Sequence, residues 1–181
     1  MSSLDLDQTG PFTVDDIPDE GHYELVDGVL VMVPMPTPRH EVAAQRLAIQ
    51  LERAAGRERV FTVFRLTFSR VNYREPDIGV IREGLDLWNA PAITPGMTLL
   101  VCEVVSPSSV RNDHVSKRAK YAEAGIPHYW IVETEPELRL TALALPEAGG
   151  VYVEAGSWVE GETVSLSQPF PIGFAVSELR G

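Results

Sequence analysis

The stretch Thr98-Leu-Leu-Val-Cys-Glu-Val-Val-Ser106 decides how this chain is read. Apolar residues flank Glu103 at both odd and even positions, the pattern of a strand covered on both faces. An ionised carboxylate in such a strand, left without a partner, carries a large desolvation cost or stays protonated. The chain offers suitable partners. Asp77 begins an earlier short apolar strand in Glu75-Pro-Asp-Ile-Gly-Val-Ile81, and Lys117 follows Glu103 on a predicted helix. Two acids and a lysine converging on sheet ends suggest a metal site that handles phosphate. Competing readings stand beside this one: a buried salt bridge from Glu103 to an arginine, and a plain turn or strand-start acid at Asp77.

Working outward, His22–Val33 reads as a hairpin, because Asp27-Gly28 separates two apolar runs. Pro34, Pro36 and Pro38 end its second strand. Residues 39–55 read as an amphipathic helix with Val42, Leu47, Ile49, Leu51 and the alanines inward, stopped by Gly56. Strands are predicted at Val60–Phe68, Asp77–Ile81, Leu99–Val105 and Tyr129–Glu133. A helix at about 110–124 lies between the last two, and partial helicity is expected around Leu85–Trp88. A strand–helix–strand unit of this length implies two parallel neighbours. A short helix near Thr13–Ile17 is also expected, with Thr13 as its cap. From Arg139 onward the strand-like runs 140–145, 150–154 and 162–165, with Gly-containing turns, suggest an antiparallel meander. The prediction is an α/β protein with a mixed β-sheet and flanking helices.

Composition bounds the function. A chain of 181 residues fits one domain that buries about two-thirds of its unfolded surface. No apolar run reaches the roughly 20 residues needed to span a bilayer, and the acidic start MSSLDLDQTG lacks the features of a secretory signal. The single Cys102 excludes an intrachain disulfide and a multi-cysteine zinc site, and reads as a small core residue. These features fit a cytoplasmic protein without a membrane partner. The formal charge of −11 gives no overall basic footprint for nucleic acid. Contact with nucleic acid then falls to local basic segments: Arg53, Arg57 and Arg59, or Arg111, Lys117, Arg118 and Lys120. A solvated helix face explains each segment equally well.

On the second helix, Asp113, Lys117 and Tyr121 lie along one stripe, while Val115, Ala119, Ala122 and Ile126 form another, suited to packing on the sheet. On spacing alone Asp113–Lys117 is a surface pair worth about 0.2–0.5 kcal/mol.

The segments YELVDG (Tyr23–Gly28), EPDIGVI, LLVCEVVSPSS and DHVSKRAKYAEAGIPHYWIVE together resemble the Uma-type (DUF820-like) restriction endonuclease family of the PD-(D/E)XK nuclease superfamily. The likeness runs from about Tyr23 to Glu133. It implies a restriction-endonuclease-like core over residues 21–135, an N-terminal extension over 1–20 and added C-terminal strands over 136–181. It also implies roles. Asp77 and Glu103 match the acids that bind Mg²⁺ or Mn²⁺, and Glu24 matches a further acid. The superfamily's usual lysine position is Val105 here, and Lys117 matches the lysine that replaces it. Asp113 and Tyr121 match supporting positions. His40 matches a histidine often found at that point, with a helix-cap or surface role as the other reading. The implied activity is metal-dependent hydrolysis of phosphodiester bonds, in DNA, by a homodimer. Two further readings stay open: a non-catalytic binding module that keeps the fold, and a hydrolase acting on another phosphate ester.

Overall fold

The computed structural model describes residues 10–18, 21–105 and 113–180, with the side chains of residues 113 and 114 left aside. The expected turn at residues 106–109, Arg111 and the first residues of the predicted second helix lie outside the described residues. The strands are β1 (Tyr23–Val26), β2 (Val29–Met32), β3 (Val60–Thr62), β4 (Leu66–Ser69), β5 (Asn72–Arg74), β6 (Ile78–Ile81), β7 (Thr98–Val105), β8 (His128–Glu133), β9 (Arg139–Ala144), β10 (Val153–Val159), β11 (Thr163–Leu166) and β12 (Ile172–Ala175). Among the described residues two α-helices accompany them, α1 (Pro38–Ala55) and α2 (Asp113–Glu123).

The main sheet has the order β10-β9-β8-β7-β6-β3. Its one parallel pair is β7 with β8, the strands flanking α2; the other neighbours are antiparallel. A second sheet, β2-β1-β5-β4, and the pair β11-β12 complete the mixed α/β architecture.

Both faces of β7 are covered, as its composition predicts. Leu100, Cys102 and Val104 pack in one core cluster with Leu47 and Leu51 of α1. Val101 packs in another with Tyr121, Ala122, Ile126 and Tyr129. Glu103 shares the parity of Val101 and so faces α2.

Several expectations are corrected. The predicted strand over Val60–Phe68 is two strands in different sheets. Val63 has a positive φ of 46°, and its N–H reaches the Asp77 carbonyl at 3.0 Å. A branched residue in that conformation breaks a strand, and here the chain leaves the main sheet for the second one. β5 was not predicted, because Asn72-Tyr-Arg74 has no apolar alternation, although all three residues are buried. Val42 and Ile49 point outward, at 40% and 37% exposure. The buried stripe of α1 is Ala43, Leu47, Ala48, Gln50 and Leu51. On α2 and just after it, Val115 and Ala119 face solvent while Ala122 and Ile126 are buried against the sheet, so the predicted apolar stripe holds only at its C-terminal end, and the polar stripe also turns inward, with Tyr121 fully buried. Residues 13–17 form a turn, not a helix, held by Thr13 donating to Asp16. Leu85–Trp88 is irregular, with a short 3₁₀ turn only at Pro95–Met97.

Candidate active site

β6 and β7 bring the two strand acids together. Their ladder ends with Ile78 opposite Cys102. One residue earlier, the Asp77 side chain takes over from the backbone: its Oδ2 accepts the Val104 N–H at 2.7 Å. A charge-assisted bond of this kind fixes the carboxylate at the sheet end, beside Glu103.

α1 delivers His40 to the same point. Thr37 caps the helix by accepting the His40 N–H at 3.3 Å, and Pro38 occupies the first turn, where a missing N–H costs nothing. The His40 Nε2 lies 3.1 Å from Asp77 Oδ2. That hydrogen bond is the main reason the His40 pKa is raised above its ordinary value.

The inward stripe of α2 supplies the rest. Tyr121 donates its hydroxyl to Glu103 Oε1 at 2.7 Å. Lys117 Nζ lies 3.2 Å from both Glu103 oxygens and 3.0 Å from Glu24 Oε1. Burial opposes a charged lysine here, but the Glu103 and Glu24 carboxylates outweigh it and hold the Lys117 pKa above its ordinary value. Asp113 begins α2, and its side chain is not described.

Glu24 comes from β1 of the second sheet. Besides Lys117 it meets Arg74 Nε at 3.6 Å and accepts the Glu75 N–H at 3.3 Å. Arg74 is 4% exposed. Its Nη1 donates to the Leu25 carbonyl at 2.8 Å, Asn72 Oδ1 at 2.8 Å and the Tyr73 carbonyl at 3.0 Å. Sequence reasoning missed this second buried cation. The only signal was an arginine two residues before Pro76, in a segment not read as a strand.

Glu24, Asp77, Glu103, Lys117, Tyr121 and His40 therefore form one connected cluster. It opens into a cleft of about 540 Å³ that is walled by the segment from Val33 to Thr37 and by Tyr129.

Burial is the largest influence on Glu103 and pushes its carboxyl up to about 7. Lys117 pulls it down, while Asp77 and Glu24 push it further up. The folded value exceeds the ordinary 4.5, so this group's stabilisation is complete at low pH and is lost as pH rises through about 7. In chelator, the stability of the wild type relative to Glu103→Gln is expected to fall by roughly 3 kcal/mol between about pH 5 and 8. Urea midpoints across that range measure it, and a flat difference contradicts the assignment.

Among the described residues, no set of three or more His, Cys, Asp or Glu side chains is arranged to hold a metal ion by itself. The donor chemistry nonetheless suits a hard cation. Asp77 and Glu103 bring two carboxylates to one sheet end facing an open cleft, and Mg²⁺ is commonly bound by one or two carboxylates, with water and substrate phosphate completing its shell.

The family model Uma2, described as "Putative restriction endonuclease", matches residues 12–179. The chain is also similar to the solved structure of "a putative nuclease belonging to DUF820 from Anabaena variabilis ATCC 29413". Identity is 18% and the TM-score 0.66, over 93% of this chain and 97% of that one. A likeness at that identity speaks to the fold, which is shared. No curated protein matches.

Proposed function

The chain belongs to the Uma2 family, and from that premise we propose that it is a metal-dependent endonuclease that hydrolyses phosphodiester bonds in DNA. The observation that carries this reading is the meeting of Asp77 and Glu103 at the end of two neighbouring strands, with Lys117 held against Glu103 in an open cleft.

Asp77 and Glu103 would hold a Mg²⁺ or Mn²⁺ ion. When bound, the ion would acidify a water and polarise the scissile phosphate. The chain's own residues do the rest. The Val104 N–H and His40 fix the direction of the Asp77 carboxylate. Tyr121 fixes one oxygen of Glu103. Lys117, kept charged by Glu24 and Glu103, presents a positive charge to the phosphate and stabilises the charge that develops on it. Glu24, anchored by Arg74, keeps that ammonium in place.

Incubation of the full chain with supercoiled plasmid tests the proposal. Nicked circles are expected with Mg²⁺ or Mn²⁺ and none with chelator. Intact plasmid under every metal condition, with RNA and a phosphomonoester also untouched, points to a binding module instead. Turnover of the phosphomonoester alone points to a different phosphate ester as substrate.

Homodimerisation would serve double-strand cleavage, since each strand needs a site. We place it in the same proposal. Among the described residues no helix is long and apolar enough to cross a membrane.

A further inference from the structure

Tyr129 has no role in the chemistry above, yet it lines the same cleft. It lies on β8 opposite Val101, on the face of the sheet that carries Glu103. Its ring is fully buried between two other tyrosines, with ring centres 5.3 Å from Tyr121 and 5.8 Å from Tyr152. Both neighbours use their hydroxyls: Tyr121 donates to Glu103 at 2.7 Å, and Tyr152 to the Ile126 carbonyl at 2.7 Å. The Tyr129 hydroxyl is buried and finds no partner among the described residues. Phenylalanine would pack as well here without burying a polar atom. An unsatisfied buried hydroxyl is costly, and native structures carry few of them. Burial, then the negative charges of Glu103 and of Asp77, push its pKa well above the ordinary value. It therefore stays an O–H donor. Among the described residues the Nδ1 of His40, on the same cleft, is the other buried side-chain polar atom left without a partner.

We propose that Tyr129 is a ligand-binding residue of this cleft, donating its hydroxyl to an oxygen brought in by the occupant. The inference rests on the cation reading above. The oxygen belongs either to a water of the hydrated cation or to a phosphate group, and both are acceptors for an O–H.

The test is the melting temperature of the full chain and of Tyr129→Phe in chelator, in Mn²⁺, and in Mn²⁺ with inorganic phosphate, with affinities from calorimetry. In chelator, Tyr129→Phe is expected to melt at or above the wild type, because an unpaired hydroxyl has been removed. Weakening of Mn²⁺ binding by about ten-fold or more assigns the hydroxyl to a cation-bound water. Weakening confined to the phosphate arm assigns it to a phosphate oxygen. Equal affinities in both proteins and both arms overturn the inference while leaving the cation reading intact. A wild type that responds to neither probe overturns the cation reading, and the inference falls with it. A clear drop in melting temperature in chelator shows that the hydroxyl has an internal partner, which also overturns the inference.

Discussion

Glu103→Gln is expected to abolish plasmid nicking, by about 10³-fold or more, while leaving the protein as stable as the wild type or more stable at about pH 8. The two halves of this result come from one physical fact. Glu103 is 6% exposed, and its carboxyl is pushed up to about 7, chiefly by burial, with Lys117 opposing the rise and Asp77 and Glu24 adding to it. Above that pH the fold holds a desolvated anion crowded by Asp77 and Glu24 and offset only in part by Lys117, and in the variant Lys117 keeps Glu24 as its partner. Glutamine keeps the shape and can still accept the Tyr121 hydroxyl, but it carries no charge. The strain of the ionised state is removed, and with it the hard anionic oxygen that a divalent cation needs. Stability and activity should therefore move apart. A variant merely damaged in folding would lose both. Nicking rates on supercoiled plasmid, paired with urea midpoints at about pH 8, make the distinction. Wild-type nicking by Glu103→Gln would rule out the proposed role.

Glu103 was legible because a charge inside a two-faced apolar strand has few explanations, and the strand was long enough to read. The hairpin was legible because Asp-Gly fixes a turn locally; Asp27 and Gly28 do have positive φ values. The residues that orient the acids were harder to read. Lys117 sits on the inward stripe of α2, yet spacing alone made it a surface residue, since a helix with polar residues on two sides gives no sign of which side meets the sheet. Val115 shows the same difficulty in reverse: an apolar residue that faces solvent. Arg74 was invisible for another reason. Its burial depends on the second sheet, whose pairing of β1 with β5 joins residues far apart in sequence. Nothing in the polar run Asn72-Tyr-Arg-Glu75 announces that contact. The backbone turn at Val63 is equally non-local, because the partner of its N–H is the carbonyl of Asp77, the residue just before β6.

Lys117→Met is expected to destabilise the protein by about 3–5 kcal/mol at pH 8, the usual consequence of removing one member of a buried ion pair. The Lys117 side chain is 15% exposed, that of Glu24 9% and that of Glu103 7%, so solvent cannot take its place. Removing the ammonium leaves two carboxylates facing each other, with Arg74 3.6 Å from one and the Tyr121 hydroxyl on the other. The expected loss shrinks towards about pH 5, where Glu103 takes up a proton and one of the two charges disappears. It should also be repaired in part by a second change: Glu24→Gln in the Lys117→Met background removes the like-charge contact. A double-mutant cycle for Glu24 and Lys117 should give a coupling of about 1–3 kcal/mol. Cleavage stays lost in both variants, because neither restores a cation at the phosphate. Chemical denaturation at the two pH values measures the first effect, and the cycle the second. If Lys117→Met were as stable as the wild type at pH 8, the lysine would be a surface residue, as its spacing on the helix first suggested, and its placement between Glu24 and Glu103 would be wrong.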